Sequence, residues 1–313
     1  MKLGLDVSGG DHAPAAPIQG AYAAIPSLAT DDRVVLFGNE AEITKTILEF
    51  GFDLSWVDVV HAPDVIAMGE HPAKALMRKP ESSLAKGFEL LKAGNLHAFS
   101  SCGNTGAMLV GAVQILKPIP GVIRPCIGTL MPKLSGGLGL VLDVGTNADC
   151  KPEVLEQFGL LGSLFAEHVY RIPSPKVGLL NIGEEPEKGN LLAQAAHQLM
   201  AANTTYNFIG NVEGRDLLSD KADVFVCDGF TGNIILKEAE AFYTAIRKRG
   251  IQDAFFDRFN YEIYGGTPIL GVASPVLIGH GMSSPEAIKN MMLLSKDVAA
   301  SGVAQKISNA FPL

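Results

Sequence analysis

Ser101-Cys102-Gly103-Asn104-Thr105-Gly106 follows the apolar run His97–Ser101 and leads into a helical pattern from Thr105 to Leu116. The same grammar recurs at Asp143-Val144-Gly145-Thr146-Asn147, Asn181-Ile182-Gly183-Glu184-Glu185, Gly210-Asn211-Val212-Glu213-Gly214 and Cys227-Asp228-Gly229-Phe230-Thr231-Gly232-Asn233. Apolar runs of strand length, closed by glycine and followed by helical periodicity, point to an α/β protein with a mostly parallel sheet. Ligands of such sheets lie beyond the carboxyl ends of the strands. The polar, glycine-rich turns therefore gather along one edge, which suits phosphate or another small anion.

Working outward, strands are expected at Lys2–Val7, Arg33–Phe37, Trp56–His61, Lys176–Ile182, Tyr206–Ile209, Asp223–Cys227 and Gly271–Ile278. Cys126–Met131 and Leu138–Asp143, joined by Pro132–Gly137, read as a hairpin, so the sheet is mixed. Helices are expected from Ala15, over Ser83–Lys92 with Ser82 or Glu81 as cap, from Pro152 to Tyr170, over Lys188–Ala202 and over Asn233–Arg249. A last helix opens at Pro285, with Ser283 and Glu286 spaced as a capping box. Residues 62–80 read as an irregular loop or flap. No repeat or flexible linker interrupts the pattern, so residues 1–313 read as a single α/β domain with a helical excursion at about 238–262.

The bulk numbers exclude several classes. A 47% hydrophobic, 19% charged chain is not disordered, and a net charge of −8 argues against a nucleic-acid-binding surface. Asp6 interrupts any secretory signal, and no apolar stretch is long enough to span a membrane. These readings favour a cytoplasmic protein. Cys102, Cys126, Cys150 and Cys227 lack zinc or Cys-x-x-Cys spacing and read as reduced thiols. The phosphate loop, the dinucleotide glycine turn, the Gly-x-Ser-x-Gly elbow and His-Glu-x-x-His are all missing. Neither a metal nor a cofactor is expected.

The turns supply the candidate site. Gly103, Asn104, Thr105 and Gly106 fit a phosphate cradle, and equally a plain turn capping a helix. Lys188 is a charged donor near a helix start, or one member of a solvated charged turn. Asp228 or Asn233 either holds a ligand or caps its helix. His280, flanked by Gly279 and Gly281 after a late strand, is better placed for chemistry than His61, His97, His168 or His197, and His12 could be an acid or a substrate contact.

Taken in order, the turns resemble the bacterial phosphate acyltransferases of phospholipid synthesis (the PlsX family). The likeness runs through Leu5–Pro14, Cys102–Ala107, Ile119–Pro125, Leu142–Pro152, Val177–Glu185, Phe208–Asp216, Val226–Asn233, Tyr264–Gly271 and Ile278–Gly281. It implies a three-layer α/β/α fold like the isocitrate/isopropylmalate dehydrogenases and phosphotransacetylase. It implies reversible transfer of a fatty acyl group from acyl carrier protein to inorganic phosphate, giving acyl phosphate, with acyl-CoA as a stand-in donor. It also implies a homodimer, peripheral contact with the inner face of the membrane and association with a downstream acyl-phosphate acyltransferase. In that reading Gly103–Gly106 and Lys188 hold phosphate, Asn233 orients phosphate or the thioester carbonyl, and His280 assists departure of the thiol.

One departure stands out. Lys237 to Tyr264 is shorter than in many relatives, where this region is linked to the dimer tip and to membrane contact. Here its aromatics fit packing on the core or on a partner, and Arg247-Lys248-Arg249 fits docking of an acidic carrier. Three rival readings are a short-chain acyl-CoA phosphotransacylase, a nicotinamide-dependent decarboxylating dehydrogenase and a silent scaffold for lipid enzymes.

Overall fold

The computed structural model describes residues 1–311. Met1–Pro118 carries β1 (Lys2–Asp6), α1 (Ala15–Ala24), β2 (Arg33–Gly38), α2 (Glu40–Glu49), β3 (Val57–His61), α3 (Pro72–Arg78), α4 (Ser83–Lys92), β4 (Ala98–Ser101) and α5 (Thr105–Gly111). Ile119–Asn260 carries β5 (Cys126–Pro132), β6 (Leu138–Leu142), α6 (Pro152–His168), β7 (Lys176–Leu180), α7 (Leu191–Ala202), β8 (Asn207–Val212), β9 (Val224–Val226), α8 (Gly229–Lys248) and α9 (Ala254–Asp257). The chain then adds β10 (Thr267–Leu270), β11 (Val276–Ile278), α10 (Pro285–Ser301) and α11 (Val303–Ala310). Among the described residues it gathers into two compact units, one of Met1–Pro118 with Tyr261–Ala304, the other of Ile119–Asn260 with residues 305–311.

In the first unit the strand order is β3-β2-β1-β4-β11-β10. All neighbours are parallel except β10 against β11. The central strands are buried almost without interruption, as expected of strands covered on both faces. Leu3, Leu5, Leu36 and Leu277 pack with Ile18 of α1 and Ile288, Met291 and Met292 of α10 into one core. After β1 the chain turns to β2 on one side, and it later returns to β4 on the other. The crevice beyond the carboxyl ends of β1 and β4 is therefore a topological switch point, where open α/β sheets place their ligands.

In the second unit the order is β5-β6-β9-β7-β8. The hairpin β5–β6 is antiparallel and the rest parallel, as the sequence reading expects. Leu142, Val224, Phe225 and Val226 are buried, as are Phe158, Leu161 and Phe165 of α6. Pro152 begins α6 at its first turn, where a missing N–H costs nothing.

Four local expectations change. Residues 62–80 are not wholly irregular: α3 starts at Pro72, and the Lys79–Glu70 ion pair (2.6 Å) ties its end to the preceding loop. The stretch Gly271–Ile278 is not one strand; β10 ends at Leu270 and the chain reverses into β11. The cap of α10 is Ser284, whose Oγ accepts from the Ala287 N–H (3.3 Å), while Ser283 is buried. The helix from Thr105 is α-helical to Gly111 and then widens into a π-turn over Ala112–Leu116. Gly111 faces the ring of Phe88, so this segment packs tightly there.

Candidate functional site

The site residues read from sequence fall into two groups, one in each unit. In the first unit, three loops meet beyond β1, β4 and β11. The Gly279 N–H donates to the Ser101 carbonyl (2.9 Å), and the Asp11 N–H donates to the Gly281 carbonyl (2.8 Å). These bonds bring Gly9–Asp11, Ser101–Asn104 and the His280 loop together. At the centre is Asp6, 2% exposed, whose carboxylate accepts from the Ser8 N–H (2.9 Å) and the Ser101 hydroxyl (2.6 Å). Burial pushes its pKa up, against the hydrogen bonds from Ser101, Ser83, Ser8 and Gly9. The loops touch through glycine backbone: a Cβ on Gly9 would lie 2.6 Å from the Gly103 Cα.

Asn104 is a structural member of this group. Its Oδ1 accepts from the Ala107 N–H (2.9 Å) as the cap of α5. Its Nδ2 donates to the carbonyls of Ala67 (3.0 Å), Met68 (3.1 Å) and Glu70 (3.0 Å). The Gly103 N–H is likewise used, donating to the Ser101 hydroxyl (2.9 Å). The cap reaches only Ala107, so the N–H groups of Thr105 and Gly106 receive nothing from it. His280 is exposed, with its ring 5.0 Å from that of Tyr261. Its Nδ1 accepts from the Met282 N–H (3.2 Å). In the neutral ring this bond assigns the proton to Nε2.

In the second unit the loops after β6, β7 and β9 emerge at one edge. Asp143, fully buried, repeats the role of Asp6, accepting from the Ile127 N–H (2.9 Å), the Asn147 N–H (2.6 Å) and Asn147 Nδ2 (3.0 Å). Burial pushes its pKa up too, opposed by those same partners. Lys188 projects from a turn built by other side chains. Asn181 Nδ2 donates to the Lys188 carbonyl (3.0 Å), Asn211 Nδ2 to the Glu185 carbonyl (2.8 Å), and Gln194 Nε2 to the carbonyls of Glu187 (2.8 Å) and Gly189 (3.1 Å). Asn211, 3% exposed, is itself held by His197 (3.0 Å). The Lys188 side chain is exposed and makes no ion pair with any described residue. Lys188 is the one cation of a turn that also carries Glu184, Glu185 and Glu187, and it offers a charged donor there.

Asp228 caps α8 through the Thr231 N–H (2.7 Å), leaving Asn233 exposed in the helix, its Oδ1 3.4 Å from where a Cβ on Gly145 would lie. The carboxylates Glu184, Glu213 and Asp216 also cluster in this unit, but Lys221 meets Glu184 (2.7 Å) and Asp216 (2.9 Å), and Arg215 closes on Glu213 (2.5 Å). Burial pushes the Cys102 thiol up to about 12, and Cys126 and Cys227 well above their usual range, so none is a ready thiolate.

The sequence reading passes over Asp6 and Asp143 as site-builders. The signal for them was present in the pair Leu5-Asp6-Val7 and Leu142-Asp143-Val144, each closing a strand before a glycine turn.

Comparison with known proteins identifies the family. The family model described as fatty acid synthesis protein matches residues 1–306. A phosphate acyltransferase of Dictyoglomus thermophilum is 41% identical over 326 residues, covering 98% of this chain and 96% of the relative. One from Desulforamulus reducens is 41% identical over 328 residues, covering 99% and 97%. Among solved structures, a phosphotransacetylase from Streptococcus pyogenes superposes with a TM-score of 0.69 at 18% identity, covering 96% of this chain and 94% of that one. A 4-hydroxythreonine-4-phosphate dehydrogenase from Klebsiella pneumoniae superposes with a TM-score of 0.60 at 12% identity, covering 96% and 97%. At those identities the likeness is one of fold, and it is the fold expected from the sequence.

Proposed function

The chain belongs to the fatty acid synthesis protein family, whose relatives here are phosphate acyltransferases, and we propose that it takes its acyl group from the thioester of an acyl carrier protein. Acyl transfer to phosphate in phospholipid synthesis is the activity of the family; the carrier and the roles of the residues are the reading developed here. The observation that carries it is Lys188, an unpaired cation on a turn fixed by Asn181, Asn211 and Gln194.

The chemistry asks little of acid–base groups. A phosphate with a second pKa near 6 is largely dianionic at neutral pH and is already a nucleophile. A phosphate oxygen attacks the thioester carbonyl carbon, and the tetrahedral oxyanion collapses with loss of a thiolate whose conjugate thiol has a pKa of about 8.5. Positioning and oxyanion stabilisation then carry the rate. In the second unit Lys188 holds phosphate; in the first, the backbone of the Gly103–Gly106 turn, through Thr105 and Gly106, offers N–H groups to phosphate. Asn104 positions that turn. Asn233 orients phosphate or the carbonyl. His280, with its proton on Nε2, donates a hydrogen bond to the sulfur as it departs as a thiolate.

Three assembly features complete the reading. Phe230, at the start of α8 and more than half exposed, suits a homodimer contact. Lys248 and Arg249 at the end of α8 suit an acidic carrier. Among the described residues no helix is long and apolar enough to cross a membrane, so any membrane contact is peripheral binding at the cytoplasmic face, where a downstream acyl-phosphate acyltransferase would take the product. Residues 1–313 act as one acyltransferase domain in this reading. Incubation with a long-chain acyl carrier protein thioester, with and without phosphate, tests it: acyl phosphate and free carrier should appear together and only with phosphate. Carrier release without acyl phosphate would mean hydrolysis instead.

A further inference from the structure

The second unit contains a cavity of about 480 Å³ that the phosphate chemistry does not use. Its inner wall is one face of α8, with Ile235, Ala239, Tyr243 and Ile246 at helical spacing. Leu217 and Met131 lie beneath, and Phe259 closes the far wall, its ring 5.5 Å from that of Phe255. The volume falls within the range of about 300–1,000 Å³ typical of small-molecule pockets. The lining is apolar except for Glu238 and the Tyr243 hydroxyl, and it contains no lysine or arginine. Nothing in it would neutralise an anionic head group, so the chemistry it fits is an uncharged hydrocarbon chain.

Its position gives the chain a direction. The lining begins at Ile234, the residue after Asn233, and runs to Ile246. Those twelve steps of α-helix span about 18 Å. An extended hydrocarbon advances about 1.25 Å per bond, from a C–C length near 1.5 Å, so the wall matches about 14 carbons.

We propose that this groove houses the acyl chain of the thioester, carbonyl end at Asn233 and methyl end at Phe259, and sets the chain-length optimum near 14 carbons. The proposal rests on the acyl-transfer reading above and adds the acyl subsite to it.

The test is kcat/KM for thioesters from C8 to C18. In the unaltered protein it should rise about tenfold per added pair of methylenes and level off near C14, as expected for progressive burial in a half-open groove. Ala239→Phe, which fills the wall about midway, should shorten the optimum to about C8 or below and cut the C14-to-C8 ratio at least tenfold. Phe259→Ala, which opens the far end, should move the optimum to longer chains. An unmoved optimum in both folded variants overturns the proposal. So does a change in oligomeric state with the optimum unmoved, which would assign the groove to a second copy. Acyl phosphate formed equally well from every chain length overturns the groove while leaving acyl transfer intact; none from any chain overturns both.

Discussion

Replacing Asn104 by alanine separates a residue that builds the turn from one that touches the ligand. The side chain is 4% exposed and all of its polar capacity is spent. One bond caps α5, and losing a helix cap costs about 1 kcal/mol. Two amide hydrogens serve three carbonyls of residues 67–70, and two net hydrogen bonds of about 1 kcal/mol each are lost with them. Ala67 and Met68 are exposed, so water recovers part of that loss. Asn104→Ala should therefore cost about 2–3 kcal/mol in urea unfolding, with faster hydrogen exchange near residues 67–70. Asn104→Asp keeps the cap acceptor but sets a carboxylate oxygen against those carbonyls, and it should be less stable than the alanine variant. An Asn104→Ala protein within about 0.5 kcal/mol of the parent, with its phosphate KM raised, would refute this account and put the side chain on the ligand.

Two further outcomes follow from the same loops. Gly9→Ala places a Cβ 2.6 Å from the Gly103 Cα and 2.8 Å from its nitrogen, so the β1 and β4 loops must part; a loss of about 1–3 kcal/mol is expected by thermal or urea unfolding, and an unchanged midpoint would contradict the close approach. Burial holds the folded Asp6 carboxyl above its ordinary value, so the folded state binds that proton more tightly than the unfolded chain does. Its contribution is fully present below the unfolded value of about 3.9 and is lost as pH rises through the folded one. Asparagine does not titrate, so the stability deficit of Asp6→Asn should be largest near pH 4 and shrink towards neutrality. A deficit that grows with pH would contradict the assignment.

What could be read from the sequence depended on where each signal is local. Near-continuous apolar strands, the Pro132–Gly137 hairpin, Ser82 as a cap and Pro152 at a first turn are local, and the structure contains them. Helix α3 is not local. His71 offers it no side-chain cap bond, and it is fixed by the Glu70–Lys79 pair and by Asn104, which lies 34 residues beyond Glu70. The reversal between β10 and β11 is signalled only briefly, by Gly271, at φ +85°, and by Ser274-Pro275 between two short apolar stretches. At Ser283-Ser284 two residues could cap; the one beside Pro285 does so, leaving Ser283 inside.

The site divides in the same way. Glycine turns at strand ends mark its place, and Lys188 stands out as a charged residue among them. Whether Asn104 and Asp228 contact a ligand or cap a helix depends on distances that sequence does not carry, and both are caps. The bonds from Asn181 and Asn211 that hold the Lys188 turn were equally invisible, since Asn211 lies on the neighbouring strand β8.

The central claim is that Lys188 meets phosphate in an acyl-transfer reaction. The most direct measurement is the phosphate KM of Lys188→Ala with a saturating long-chain thioester. Loss of one charged hydrogen bond, about 1.5–3 kcal/mol, predicts a rise of about ten- to a hundredfold in phosphate KM with the thioester KM unmoved. An unchanged phosphate KM in a folded, active variant would remove Lys188 from the site and contradict the account.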